Sequence, residues 1–526
     1  IIIRITADCP LICPELIDAV FDKKLKDGAQ YGSNVSPPTF PDGLDVEIFD
    51  FEILKDCFEN AKTKLEQEHV TTWIINNKEI SHSNLSCTKN YSDFRLTLDK
   101  PIDLDVISRL IVKEHLSISS TLHDVLMSTK NNPLILKLNS SILRNEGFKM
   151  SNYTKLWARA RDVIPGGNGL FSKRPTLFSP SVWPTYFSST NGFKIKDLDG
   201  NEFKDFIMAV GTNTLGYNHP EVDAAVVQGI KRGNMSTLNP FEEVMLAERL
   251  VELHPWSDMV KFSRTGGEAN AIAIRIARAA TSKTKVAICG YHGWHDWYLA
   301  ANLNSEDLNE HLMPGLPEDG VNPTLKGTTL AFSYNDISAF NKIVDQHDLA
   351  CVIMEVQRSF KPKVGFLEEI RRVCTANGIV LIFDECTSGF RETFGGMHLK
   401  YEIYPDVAMF GKALGNGYAI NAVVGRREIM EATQKTFVSS TNWTERSGFV
   451  AALATLKVME KIRSWEIITE NGSYYRKKLE NISTDLNISI SFSGLHALTV
   501  HSFHSPEIQN EQNTFKTVIT QHFLKK

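Results

Sequence analysis

No apolar run in this chain approaches the ~20 residues needed to cross a bilayer, and no basic-then-apolar leader pattern is present. Excess positive charge is missing too: 57 Lys and Arg stand against 62 Asp and Glu, and a net charge of -5 offers no field for a phosphate backbone. Neither a membrane nor nucleic acid is therefore expected as a partner, and small-molecule chemistry is the default. The eight cysteines, at 9, 13, 57, 87, 289, 351, 374 and 386, make no CxxC pair and no even framework. That pattern fits free thiols in a reducing compartment, so the expected location is cytoplasmic. In that setting the Asn-x-Ser/Thr triplets, such as Asn34-Val35-Ser36 and Asn442-Trp443-Thr444, are chance products of composition rather than glycan sites. Internal repeats and low-complexity tracts are absent, and 526 residues are enough for more than one domain.

The residues present are more telling. In Phe410-Gly411-Lys412-Ala413-Leu414 the lysine lies 28 residues after Asp384 of the Asp384-Glu385 pair. A lysine after the apolar run Val407-Ala408-Met409-Phe410 and before small residues can sit desolvated, where its amine forms a Schiff base with an aldehyde. Asp384 ends the β-rich run Ile379-Val380-Leu381-Ile382-Phe383, where a carboxylate can face a pyridine nitrogen and keep it protonated. Each residue alone has an ordinary reading, as solvated surface for the lysine and as a turn or helix cap for the aspartate. Together they suit pyridoxal phosphate.

A glycine turn, Thr265-Gly266-Gly267-Glu268, opens a helical pattern from Ala269 to Ala280. Free N–H groups and the helix dipole favour a phosphate there, although many such turns only cap helices. Tyr291 leaves the apolar run Lys285–Gly290 at a place where an aromatic ring can stack on a flat cofactor or simply pack in the core. His292, His295 and Asp296 supply metal-binding groups but no further partner at diagnostic spacing, so a zinc site is not expected. From residue 151 onward, short β-branched runs alternate with helical stretches: 260–262, 269–280, 286–289, 351–356, 366–377, 379–383 and 407–410. The alternation predicts an α/β fold with a mostly parallel sheet, whose ligands collect at the carboxyl ends of the strands. Tyr291, Asp384 and Lys412 all follow such runs.

These residues carry a resemblance. Ile164-Pro165-Gly166-Gly167, Leu215-Gly216-Tyr217-Asn218-His219-Pro220, Thr265-Gly266-Gly267-Glu268-Ala269, Tyr291-His292-Gly293, Asp384-Glu385 with Gly389-Phe390-Arg391, and Gly411-Lys412-Ala413-Leu414-Gly415 follow one another in order. In this, residues 151–526 resemble the class III, fold-type I aminotransferases, and within them the glutamate-1-semialdehyde aminomutase branch. The resemblance implies pyridoxal 5'-phosphate as cofactor, Lys412 as Schiff-base and acid/base residue, and Asp384 as partner of the pyridinium. It further implies Thr265, Gly266 and Gly267 at the phosphate, Tyr291 on the ring face, and a homodimer in which Thr444, or its competitor Thr441, reaches the partner's phosphate. Two positions depart from the pattern: Gly267 stands where relatives often carry Thr, and Cys386 where an apolar branched residue is usual.

Residues 1–115 have another character. The strand-like opening Ile1–Ile5 leads to Asp8-Cys9-Pro10, and Phe94–Leu98 leads to Asp99 and a Pro-led helix. Two strand-end carboxylates could share a Mg²⁺ or could both be helix-entry caps. Thr6-Ala7-Asp8-Cys9-Pro10-Leu11, Gly43-Leu44-Asp45-Val46-Glu47, Glu68-His69-Val70-Thr71 and Leu98-Asp99 resemble the later part of a cytidylyltransferase that activates acidic or surface-polysaccharide sugars, with Asp8 and Asp99 as its metal ligands. The glycine- and Arg-containing nucleotide loop of that family does not precede Ile1, and the closing elements of the aminotransferases are not matched at the other end, so a fragment of a longer fusion is expected. Residues 116–150, rich in Ser and Asn, read as a linker that is partly helical at best.

The expected activity is pyridoxal phosphate-dependent amino-group transfer through Lys412, between a small-molecule amino donor and a carbonyl acceptor such as a keto-sugar precursor of surface polysaccharide. The alternatives are a glutamate-1-semialdehyde 2,1-aminomutase, in which both half-reactions occur on one skeleton, and a CTP-dependent sugar-acid cytidylyltransferase acting through Asp8 and Asp99.

Overall fold

The computed structural model describes residues 1–61, 71–117, 119–140, 142, 144, 152–179, 182–303, 316–486, 488–504 and 512–524. Glu68, His69 and Val70 of the cytidylyltransferase-like motifs lie outside the described residues. The chain divides into two compact units, Ile1–Met150 and Ser151–Lys526.

In the first unit, strands β1 (Ile2–Arg4), β2 (Tyr31–Ser33), β3 (Glu47–Phe49) and β4 (His82–Asn84) form one sheet in the order β1-β3-β2-β4. Helix α1 (Pro14–Asp27) begins on Pro14, whose missing N–H costs nothing in a first turn, and stops at Gly28, whose φ of 62° suits a residue without Cβ. Its Leu16 and Val20 pack with Leu44, Val46, Ile48 and Leu96. Helix α2 (Pro101–Glu114) is the expected Pro-led helix and adds Val106, Ile107 and Leu110 to that core.

Two expectations for this unit need amendment. Phe94–Leu98 does not form a strand; it makes an isolated bridge between Asp42 and Arg95, and Leu98 N–H donates to Asp8 O at 2.8 Å. The Arg95 guanidinium takes over the local geometry, pairing with Asp42 at 2.9 Å, Asp99 at 2.6 Å and Asp103 at 3.0 Å. The stretch read as linker holds helix α3 (Leu122–Asn131), opened by a Thr121/Asp124 capping box, and places Leu116, Val125 and Leu136 in the first unit's core. Leu122, Val125 and Leu126 do stand at helical spacing, but the Ser- and Asn-rich composition around them suggested a connector.

The second unit is built on seven strands: β5 (Met259–Ser263), β6 (Lys285–Cys289), β7 (Thr329–Ala331), β8 (Leu349–Met354), β9 (Val380–Asp384), β10 (Val407–Phe410) and β11 (Asn421–Gly425). Their order is β7-β6-β8-β9-β10-β11-β5; all pairs are parallel except those made by β11. Alternate residues feed two apolar layers. Leu381, Phe383, Ala408 and Phe410 join the layer supplied by helix α5 (Phe366–Ala376), while Val380, Ile382, Val407 and Met409 join the layer of helix α4 (Gly266–Thr281). Burial on both faces explains why these runs are continuously apolar, and truncating Phe383 to alanine would cost about 3–5 kcal/mol. A three-stranded meander, Phe187–Asn191, Lys194–Asp197 and Glu202–Lys204, and a hairpin, Ser489–Ser493 with Val500–His504, lie outside this sheet. Among the described residues no helix is long and apolar enough to cross a membrane.

His254 is buried under the sheet, its ring stacked on Phe410 at 4.6 Å and its Nδ1 donating to Leu250 O at 2.8 Å. Burial, with the neighbouring His398, lowers its pKa to about 4, so it folds neutral. Because the unfolded imidazole takes a proton near pH 6.5, stability present above that pH should fall by roughly 3 kcal/mol as pH drops toward 4. Urea midpoints of the second unit measured across that window should show the loss, and His254→Gln should flatten it.

Candidate active site

The carboxyl ends of β5, β6, β8, β9 and β10 share one edge of the sheet, and the antiparallel β11 starts there. Asp384 is the last residue of β9. Its Oδ2 accepts from Asn270 Nδ2 and from His292 Nδ1, both at 2.9 Å, and its Oδ1 accepts from the Cys386 N–H at 3.1 Å. Burial alone would raise this carboxyl, but the His292 bond and charge, with Asn270 and the Cys386 amide, hold it below the ordinary carboxylate value. Glu385 points the other way. Its Oε1 accepts from His398 Nδ1 at 2.7 Å and its Oε2 from Ser388 Oγ at 2.6 Å, while Trp256 Nε1 donates to His398 Nε2 at 2.9 Å. His398 therefore carries its proton on Nδ1, and Glu385 clamps the loop Ser388–His398 to the sheet.

Lys412 follows β10 at the start of a 3₁₀ turn, Lys412–Gly415, with φ 43°. Its Nζ donates to Thr387 Oγ1 at 2.9 Å, and burial, aided by the charges of Arg358 and Arg391, lowers its pKa. An amine so placed loses its proton more readily than a solvated lysine, which makes it a nucleophile. Cys386 joins the two halves of the site: its Sγ lies 3.5 Å from where a Cβ on Gly411 would stand and 3.6 Å from one on Gly266. A Cβ on Gly411 would also fall 1.9 Å from Asn421 Oδ1, so only glycine fits before the lysine.

At the exit of β5, Thr265 caps α4: its Oγ1 accepts from Glu268 N–H at 3.3 Å, and Glu268 Oε2 accepts from the Thr265 and Arg264 amides at 2.9 and 3.0 Å. The N–H groups of Gly266 and Gly267 open the helix, where no carbonyl of the same helix stands opposite them. Tyr291, just beyond β6, is partly buried, edge-on to Tyr298 at 6.0 Å, with its N–H directed at Glu355 Oε2 at 3.4 Å. Thr444 ends the turn Thr441–Thr444, with its Oγ1 donating to Thr441 O at 3.0 Å. Arg264 fixes this turn within the same chain through Asn442 O at 2.9 Å and Trp443 O at 3.0 Å. The loop from Gly211 to Gly216 is held from both sides. Arg391, buried, donates to Gly211 O and Thr214 Oγ1, and Asn416 bonds Leu215 N–H at 2.9 Å and Gly216 O at 3.1 Å.

The structure thus brings Thr265, Gly266, Gly267, Tyr291, Asp384 and Lys412 to one edge of the sheet, at the ends of β5, β6, β9 and β10. It also supplies residues that the sequence did not announce: Asn270 and Thr387, which hold Asp384 and Lys412, and Arg358, which sits 3.4 Å from Glu355 beyond the end of β8. His292, weighed only as a metal ligand, serves Asp384 instead. In the first unit Asp8 and Asp99 are neighbours, with Asp8 Oδ2 accepting from Thr97 Oγ1 at 3.0 Å and Asp99 paired with Arg95. No group of three or more His, Cys, Asp or Glu among the described residues could hold a metal ion, so Mg²⁺ at Asp8 and Asp99 gains no third protein ligand.

The residues at this edge fit pyridoxal phosphate: a desolvated amine, an anchored carboxylate, a glycine helix start, and two buried ring nitrogens without partners among the described residues, His292 Nε2 and His295 Nδ1. Comparison with known proteins agrees. The family model for aminotransferase class-III matches residues 179–521. The chain belongs to the class III aminotransferases, a family of pyridoxal phosphate-dependent enzymes. It is 33% identical over 391 residues to a 3-aminobutyryl-CoA aminotransferase of Cloacimonas acidaminovorans, covering 72% of this chain and 89% of that protein. It is 35% identical over 359 residues to a glutamate-1-semialdehyde 2,1-aminomutase of Methanothrix thermoacetophila, covering 66% and 81%. An omega-transaminase from Sphaerobacter thermophilus superposes with a TM-score of 0.61 at 26% identity, covering 71% of this chain and 86% of the other. The internal aldimine form of FumI from Sphingopyxis sp. shares the fold with a TM-score of 0.62 at 23% identity, covering 71% and 95%. The fold-type I architecture expected for this class III aminotransferase is the one observed.

Proposed function

We propose that this class III aminotransferase moves an amino group from a small-molecule donor to the carbonyl of a second substrate, a keto-sugar or related precursor of surface polysaccharide. The observation that carries the reading is the pairing, at one strand edge, of the desolvated Lys412 amine with the Asp384 carboxylate held by His292 and Asn270. Pyridoxal phosphate supplies an aldehyde that condenses with amines and a ring that accepts the electrons of a broken C–H bond. Lys412 Nζ would hold the cofactor through its aldehyde and, when free of it, would accept the proton lost by the donor carbon and return it to the carbon that receives it. Thr387 Oγ1 orients that amine between transfers. Asp384 would keep the ring nitrogen protonated, and His292 and Asn270 keep Asp384 in place and ionised. The amides of Gly266 and Gly267, with Thr265 Oγ1, hold the phosphate, and Tyr291 covers the ring. The working form is a homodimer in which Thr444 contributes to the partner's phosphate site.

The sugar assignment is supported by the first unit, whose motifs resemble a sugar-activating cytidylyltransferase and whose Asp8 and Asp99 stand side by side. Intramolecular transfer is the second reading, favoured by relatives named glutamate-1-semialdehyde 2,1-aminomutase at 30–35% identity. A half-reaction screen separates the two. The full chain, loaded with pyridoxal phosphate and mixed with one amino donor at a time, should lose its aldehyde-form absorbance with an amino acid or amino-sugar and regain it only when a keto-sugar is added. Bleaching by 4,5-diaminovalerate alone, with no response to those donors, would overturn intermolecular transfer in favour of the aminomutase.

A further inference from the structure

We propose that His295 binds the phosphate of the cofactor, in the place of the hydroxyl that Gly267 lacks; the inference rests on the cofactor site described above. Gly267 is the second residue of α4, and a Cβ built there would lie 2.7 Å from His295 Cε1 and 2.8 Å from His295 Nδ1. The imidazole therefore occupies the space that a side chain at 267 would use, directly over the helix start. A threonine at 267 would require the His295 ring to move from this position. His295 Nδ1 is buried and has no hydrogen-bond partner. The rest of the residue is fixed: its ring stacks on Trp294 at 4.5 Å, and its carbonyl accepts from the Tyr298 and Leu299 amides at 2.9 and 3.2 Å.

The charge around that nitrogen selects the ligand. The amides of Gly266 and Gly267 and the positive end of the α4 dipole favour an anion at this point and oppose a metal cation. Burial lowers the His295 pKa against the opposing charges of Glu268 and Asp296, and an Nδ1–H on the ring can donate one hydrogen bond to the anion. Trp294 Nε1, 3.7 Å from the same would-be Cβ, is a second N–H on that side. The chain thus replaces an oxygen donor on the helix with a nitrogen donor from the loop after β6.

Full-chain protein freed of cofactor and titrated back tests the assignment, with pyridoxal phosphate in one arm and pyridoxal, which lacks the phosphate, in the other. His295→Ala should weaken pyridoxal phosphate by ~10- to 100-fold and leave pyridoxal unchanged. Adding Gly267→Thr to His295→Ala should recover affinity for the phosphate form, whereas Gly267→Thr alone should lose it by collision with the ring. Phosphorus NMR of the bound cofactor should shift in His295→Ala. Unchanged affinity in His295→Ala, or an equal loss for both ligands, overturns the proposal. If His295→Ala fails to fold, His295→Asn, which keeps an N–H donor, must bind the phosphate form more tightly than His295→Val; equal binding by the two overturns it as well. Failure of the parent chain to bind either ligand would instead strike at the cofactor site as a whole.

Discussion

Lys412→Ala is expected to lower kcat for amino transfer by at least about 10⁴-fold, since one substitution removes both the nucleophile and the proton carrier. Lys412→Arg should fare no better, because a guanidinium does not give up its proton at working pH. The loss should be chemical rather than structural. Among the described residues Lys412 bonds only Thr387 Oγ1 through its side chain, and its burial already works against its charge, so deleting it should not lower the denaturation midpoint. Cofactor titration and borohydride reduction report the covalent link directly: the parent chain should become irreversibly labelled and Lys412→Ala should not. Labelling that survives the substitution, with activity intact, would place the chemistry on another amine.

Asp384→Asn carries the next largest effect, about 10³-fold in kcat/KM, by removing the charge that stabilises the protonated ring. The substitution is isosteric, so Asn270 and His292 keep an oxygen to bond. The carboxyl is held below its ordinary value of 3.8 by His292, Asn270 and the Cys386 amide against the opposing effect of burial. A carboxylate with a depressed pKa contributes in full above 3.8 and is lost only as pH falls through the lower folded value. Across pH 5 to 8 Asp384 should therefore stay ionised and impose no acid limb on kcat/KM. An acid limb inside that window that disappears in Asp384→Asn would contradict the assignment.

The strands, the helix opened by Gly266 and the two principal residues were legible because each is encoded locally. Five consecutive apolar residues before Asp384 and four before Lys412 mark buried parallel strands, and the motif residues follow directly at their ends. What was not legible is what depends on pairs distant in sequence. Asn270 reaches Asp384 across 114 residues and His292 reaches it across 92, and neither spacing has any local signature. His292 stands three residues before His295, a spacing that raises a metal reading and does not support it, and nothing local points to its partner carboxylate. A polar residue on the otherwise apolar inner face of α4 was the one available sign of Asn270, which is buried among Ala269, Ala273 and Ile276. In the first unit, Arg95 gathers Asp42, Asp99 and Asp103, and no run of residues around 95 hints that a guanidinium rather than a strand organises that region. The helix within 116–150 did have a local signal, the Thr121/Asp124 box, but the surrounding serines and asparagines obscured it.

Adjacent acids at 384 and 385 divide two duties because successive side chains on an extended chain leave it in opposite directions. One faces the side of the sheet edge where Lys412 stands, and its neighbour rivets a loop through His398 and Trp256. Deleting a single residue inside β9 would exchange their positions: the rivet would meet the cofactor and the anchor would be turned toward the scaffold. A frame slip of one residue in this strand should thus cost the enzyme its loop and its chemistry together.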